Sequence, residues 1–248
     1  MSPPGDLHGV HLSVGKHRLF IRYGGCSDEP AQPPIVLIHG LVLSSRVLLP
    51  TMRHLARRHF VIAPDLPGCG ASPHPASPMT IEELADTLGQ LLHRIGRPCV
   101  VLANSFGSLI AVEAAIRHSP WIHRLVIAGP SLPPVRFGLP EIALRWVGTA
   151  VREPLSIAPL ALSELWYTGL DQAAAHVKMS RRYPLRSRLH AVRAPTLVIR
   201  GTRDLLAPRQ WSADIATATP AGQLIEVKAA HALPYEIPEL LTRMIESG

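Results

Sequence analysis

The stretch Cys99–His118, CVVLANSFGSLIAVEAAIRH, decides the fold of this 248-residue chain. Its opening, CVVLA, is short, apolar and rich in β-branched residues, the composition of a strand buried on both faces. From Phe106 to His118 the apolar residues continue at helical spacing, and Glu113 and Arg117 stand four apart, the separation of an intrahelical ion pair. Only Asn104, Ser105, Phe106 and Gly107 lie between, too few for an ordinary loop. A turn that tight strains the backbone at its apex and lifts the apical side chain clear of the sheet. Small neighbours then let strand and helix approach closely. Ala103-Asn104-Ser105-Phe106-Gly107 therefore reads as a nucleophile elbow with alanine in place of the first glycine. The alternative is that Ser105 merely caps the following helix.

Outward from this stretch, strand-like and helix-like segments alternate. Residues 17–25, 33–40, 59–66, 99–105, 123–129, 195–201 and 223–230 are the strand candidates, several of them continuous apolar runs suited to a parallel sheet covered on both faces. The clearest helix starts at Thr80, which with Glu83 spells a capping box. It places Leu84, Leu88, Leu91, Leu92 and Ile95 on one face and stops at Gly96. Alternation of this kind predicts a wound α/β sheet. The pattern breaks once. From Gly129 to about Leu189 no strand is expected, and three helical stretches suggest an insertion over the sheet.

Composition sets the bounds. An apolar fraction of 47% with 17% charged residues belongs to a globular protein. No apolar run approaches the ~20 residues of a membrane span. The opening MSPPGDLHGVHL lacks the charged and apolar regions of a signal peptide. Cys26, Cys69 and Cys99 are odd in number and scattered, so a disulfide framework is not expected and a cytoplasmic protein is. The net charge of +7 comes almost wholly from arginine, without the aromatic interleaving or reading helix of a nucleic-acid binder. One segment is locally dense: Arg181, Arg182, Arg186 and Arg188, with no acidic residue among them. It is either a solvated surface or a dock for an anionic substrate group or an acidic carrier protein.

A serine nucleophile needs a base, and the base an orienting acid. Asp204 closely follows one strand candidate, whereas Glu226 lies inside another, where its side chain would face solvent; Asp204 is the better orienter. His231 follows the last strand directly. His176 sits mid-helix in the insertion, and His190 precedes a strand at its wrong end. The oxyanion needs two backbone N–H groups, and Phe106, just after the elbow, supplies one. Gly40 lets the chain turn so that Leu41 N–H supplies the other, with His39 bracing that loop.

These residues resemble the α/β-hydrolase fold family, in the branch with a helical cap. VLIHGL is similar to its strand followed by His-Gly, APDLPGCGASPHP to its D-x-P-G-x-G-x-S segment at Asp65 to Ser72, and ANSFG to its elbow. IRGTRDLLAP is similar to its acid loop, and AAHALPYEIPELL to its histidine loop and final helix. The resemblance implies an α/β fold with a mostly parallel sheet, a core of residues 1–130 and 189–248, and a cap at 131–188 inserted after the sixth strand. It makes Asp65 to Ser72 a structural turn. Ala103 and Ala230 depart from the family by standing where it usually has glycine, which predicts a slightly shifted site.

A serine, a histidine and an aspartate with an oxyanion hole perform acyl transfer to water without metal or cofactor. Leu41, Val42, Phe106, Leu132, Pro133, Val135, Phe137 and Leu233, with Trp146 and Trp166 of the insertion, are the candidate pocket walls. Their apolar character predicts an ester, thioester or lactone of an apolar acyl or aromatic substrate. A carbon–carbon hydrolase of aromatic ring-cleavage products is the alternative enzyme. A ligand-binding protein of the same fold is the alternative outside catalysis.

Overall fold

The apolar runs become the centre of one eight-stranded sheet in the computed structural model, which describes residues 6–25, 32–133 and 138–247. The strands are β1 (Leu7–Val14), β2 (His17–Gly24), β3 (Ile35–Ile38), β4 (Val61–Pro64), β5 (Cys99–Ser105), β6 (Ile122–Pro130), β7 (Thr196–Gly201) and β8 (Gly222–Val227). They lie side by side in the order β1-β2-β4-β3-β5-β6-β7-β8. β2 pairs antiparallel with both β1 and β4, and all other pairs are parallel. β3, β4 and β7 are buried at every position, as strands covered on both faces must be.

The helices are α1 (Leu49–Leu55), α2 (Ile81–Ile95), α3 (Phe106–Arg117), α4 (Leu139–Ala150), α5 (Ala158–Thr168), α6 (Leu170–Arg182), α7 (Leu185–Arg188), α8 (Arg209–Ala218), α9 (Leu233–Glu236) and α10 (Pro238–Glu246). The period of two along the strands divides the core between them. Val36, Ile38, Val101 and Ala103 face α2, α3 and α8, whereas Ile35, Leu37, Val100 and Leu102 face α1 and α10. At the start of α2 the capping box is formed: Thr80 N–H donates to Glu83 Oε2 at 2.8 Å and Glu83 N–H to Thr80 Oγ1 at 3.2 Å. The same helix stops at Gly96, whose φ of +79° is the left-handed conformation that glycine adopts without strain. Between β6 and β7 the described residues hold α4 to α7 and no strand. No helix among the described residues is long and apolar enough to cross a membrane. Cys69 and Cys99 are free and buried, and burial pushes both thiols up to about 12; Cys26 lies outside the described residues.

The sequence left out one strand, and the helical ion pair it predicted forms without being the main contact of either partner. β1 is not among the expected strands, because it forms a sheet edge with most side chains in water and therefore carries little apolar alternation. The expected ion pair between Glu113 and Arg117 is the longer contact of each, at 3.9 Å. Arg117 instead grips both Asp86 oxygens, at 2.8 and 2.7 Å. Glu113 is buried in α3, where it accepts Tyr183 O–H at 2.6 Å and two N–H groups of Arg188 at 3.0 and 2.8 Å. The arginine-dense segment thus has an acidic partner on another helix, which local sequence could not reveal.

A buried carboxylate left without its cation is costly. Arg188→Met should therefore lower the unfolding free energy by about 1–3 kcal/mol, allowing for the arginine's partial exposure. Arg186→Ala, at an exposed position, should change it by under ~0.5 kcal/mol. Urea unfolding followed by circular dichroism measures both, and equal effects would remove Glu113 as an anchor.

Candidate active site

β5 runs into α3 with no residue between them, and Ser105 absorbs the change of direction at φ +54° and ψ −124°. Among the described residues the only other non-glycine with positive φ is Val42. Ser105 makes no side-chain capping bond, which removes the reading of this serine as a helix cap. Space around the turn is minimal. A Cβ on Gly107 would stand 2.5 Å from His39 O, and one on Gly40 3.1 Å from Ser105 Cβ. Ala103 fits, fully buried.

Two loops at the carboxyl ends of the last two strands bring a base and an acid together. His231 Nδ1 meets Asp204 Oδ2 at 2.7 Å. The other Asp204 oxygen accepts the N–H groups of Leu206 at 2.7 Å and Ala207 at 3.1 Å, which fixes the carboxylate's orientation. Burial disfavours a charged His231, but the Asp204 carboxylate, by charge and by hydrogen bond, outweighs it. With Glu153 adding to this, the imidazole pKa lies above its ordinary value. His231 Nε2 is buried with no protein partner. Glu226, the other acid considered, stays on the sheet edge with Arg200 at 2.9 Å and Arg209 at 2.8 Å. Asn104 Nδ2 donates to Ala128 O at 2.7 Å and His231 O at 3.0 Å, tying the elbow to the histidine loop.

The loop after β3 is braced in turn. Leu66 N–H donates to His39 Nε2 at 2.9 Å, so the ring proton is on Nδ1, which meets Gly40 O at 2.8 Å. Burial lowers the pKa of this imidazole, consistent with a neutral ring. Asp65 accepts Ser45 N–H at 2.7 Å and Ala71 N–H at 2.9 Å, while Ser72 Oγ donates to Asp65 O at 2.7 Å. These bonds belong to loop architecture and leave Asp65 away from His231. Phe106 opens α3, where the first N–H groups have no partner within the helix. Its ring stacks on His176 of α6 at 4.6 Å, and burial pushes the His176 imidazole down to about 4.

Ser105 and His231 line one cleft of about 350 Å³. Gly40, Leu41, Val42 and Trp146 line it too, together with residues that sequence reasoning did not single out: Glu153, Leu155, Ile157, Leu162 and Leu165. Glu153 carries no local signal, since it follows a helix end in an ordinary Arg-Glu-Pro turn. Leu132 lines a smaller void on another side of Ser105, beside Phe106 and Trp146. Three expected wall residues line neither cavity, and one of them, Pro133, is buried. Leu233 is fully buried under the sheet, because α9 begins there and turns it into the core. Trp166, on α5, is 85% exposed and does not line the cleft. Val135 and Phe137 lie outside the described residues. None of the four clustered arginines lines the cleft; Arg182 borders a separate groove with Lys178 and Glu82.

Comparison with known proteins agrees with this fold. Residues 35–243 match the family described as Alpha/beta hydrolase family. A magnesium-chelatase 30 kDa subunit of Rhodobacter capsulatus is 27% identical over 250 residues, covering 87% of each chain. A pimeloyl-[acyl-carrier protein] methyl ester esterase of Shewanella sp. (strain MR-7) is 27% identical over 237 residues, covering 81% of this chain and 84% of its own. The crystal structure of the enol-lactonase of Burkholderia xenovorans LB400 superposes with a TM-score of 0.76 at 23% identity, over 96% of this chain and 98% of that one.

The electrostatics of the His231 pair can be measured without a substrate. In an NMR titration, His231 should hold its proton to a higher pH than a free imidazole, whose pKa is about 6.5. Asp204→Asn removes the charge that favours the imidazolium and should lower that pKa, while Glu226→Gln should leave it in place. The opposite pattern would make Glu226 the partner.

Proposed function

The chain belongs to the alpha/beta hydrolase family, and on that premise we propose that it is a serine hydrolase cleaving an ester-type bond (an ester, thioester or lactone) in a predominantly apolar substrate. The observation that carries this reading is one cleft lined both by Ser105, on its strained turn, and by His231, whose imidazole is hydrogen-bonded to buried Asp204. In this reading His231 Nε2 takes the Ser105 hydroxyl proton as Oγ attacks the carbonyl carbon. The tetrahedral oxyanion rests on the N–H groups of Leu41 and Phe106. His231 then returns the proton to the leaving oxygen, and water hydrolyses the acyl-enzyme by the same route in reverse. Asp204 keeps the imidazole in the tautomer whose Nε2 is free and stabilises the imidazolium between steps. Because the base must be neutral to act, kcat/KM falls as pH drops through the raised His231 pKa.

Helices α4 to α7 serve as a cap over residues 1–130 and 189–248. Their apolar side chains from α5 and the turn before it support an apolar substrate. Ser105→Ala should leave a folded protein that no fluorophosphonate probe labels and whose ester hydrolysis is lower by about 10³-fold or more. Activity within tenfold of wild type would remove Ser105 as the nucleophile.

The relative named for an acyl-carrier-bound substrate supports a second element of this reading, a carrier protein as the anionic partner. Its dock would be the exposed Arg182 and Arg186 with nearby Arg181, since Arg188 is committed to Glu113. Reversing Arg182 and Arg186 to glutamate should raise KM for a carrier-linked ester and make that KM less sensitive to salt. A small neutral ester should be unaffected. Equal effects on both substrates would reduce the patch to a solvated surface.

A further inference from the structure

The cleft holds one charged group that the proposed chemistry does not use. Glu153 follows the end of α4 and is the only acidic side chain lining the cleft among the described residues; no lysine or arginine lines it. Its Oε1 accepts the N–H of Ala232, next to His231, at 3.1 Å. No ion pair with a lysine or arginine neutralises it among the described residues, and its charged neighbours are His231, Asp204 and Glu236. Burial raises its carboxyl pKa above the ordinary range, against the pull of His231 and the Ala232 N–H. Such a carboxylate gains most from a cation or a hydrogen-bond donor brought close to it, and it repels a second anion through a medium that screens poorly.

We propose that Glu153 sorts substrates by charge: the cleft takes an alcohol portion bearing a cationic or hydrogen-bond-donating group and rejects one bearing a carboxylate. The inference rests on the hydrolase reading above and adds the half of the substrate concerned. The leaving oxygen must lie at His231 to be protonated, so the alcohol half extends along the side where Glu153 stands. Glu153 is a specificity residue and takes no part in the proton transfers. An anionic group is thereby kept out of the cleft and left to the surface.

Three butanoate esters test this: those of choline, of its uncharged carbon isostere 3,3-dimethylbutanol, and of 4-hydroxybutanoate, which carries a carboxylate at a similar position. The kcat/KM ratio of the choline ester to the carboxylate ester should fall about tenfold in Glu153→Gln, since glutamine still accepts from Ala232 N–H but bears no charge. The neutral ester is the common reference, and fluorophosphonate labelling of the variant reports an assembled site. A ratio unchanged within twofold in a variant that labels normally would overturn the proposal. On the unaltered protein, the choline ester should outpace the carboxylate ester even at high salt, where surface charges are screened; the reverse order would also overturn it. If the unaltered protein hydrolyses none of the three and takes no label, the hydrolase reading itself falls. Hydrolysis of the neutral ester without the charge effect removes Glu153 alone.

Discussion

The direct passage of β5 into α3 is the constraint on which the rest of the molecule depends. Ser105 pays for it with backbone strain of order 1–3 kcal/mol, sustainable only where the surroundings over-determine the conformation. β5 is paired on both sides, to β3 and β6, and α3 is buried along most of its length. The strand cannot slip and the helix cannot tilt without exposing apolar surface. Neighbouring backbone must come close for the same reason, which is why Gly40 and Gly107 have no room for a side chain. The half-buried serine is thus a product of the best-buried part of the sheet.

A layer of neutral and backbone-directed hydrogen bonds carries that rigidity outward. Asn104 reaches β6 and the histidine loop, His39 spans the loops after β3 and β4, and Asp65 closes its own turn while holding Ser45. Each polar side chain is buried and each is spent on main-chain atoms. Three loops from distant parts of the sequence are held in register by them. The orienting of His231 falls to one carboxylate whose second oxygen is already occupied.

What the sequence disclosed and what it withheld follow from the range of the interactions. The tight turn at Ser105 and the loops of Asp204 and His231 were legible because each closely follows a strand that local pattern marks. Thr80 and Gly96 were legible because a helix end is a local event. β1 was not, since most of its side chains lie in water and leave little apolar alternation to read. Glu113 and Arg188 find each other 75 positions apart, beyond any local rule. Leu233 and Trp166 failed as pocket residues for a shared reason: apolar character marks a residue for burial or contact without saying against which surface. Glu153 combines both difficulties, a residue from a helix end whose surroundings are assembled by chain 79 positions away.

Helices α4 to α7 are fastened to the core in a different way at each end. At the α6–α7 end, Glu113 collects three short hydrogen bonds from Tyr183 and Arg188 in a buried place. At the α4–α5 end the ties are spread over more residues: Arg145 donates to Leu205 O at 2.9 Å, Thr149 accepts Leu205 N–H at 3.3 Å, Glu153 accepts Ala232 N–H at 3.1 Å, and the half-exposed Arg46 reaches Glu164 at 3.1 Å. Of these ties the one next to His231 is the carboxylate of Glu153, so a ligand that takes hold of that carboxylate draws on one of the bonds that fasten the end of α4 to the histidine loop.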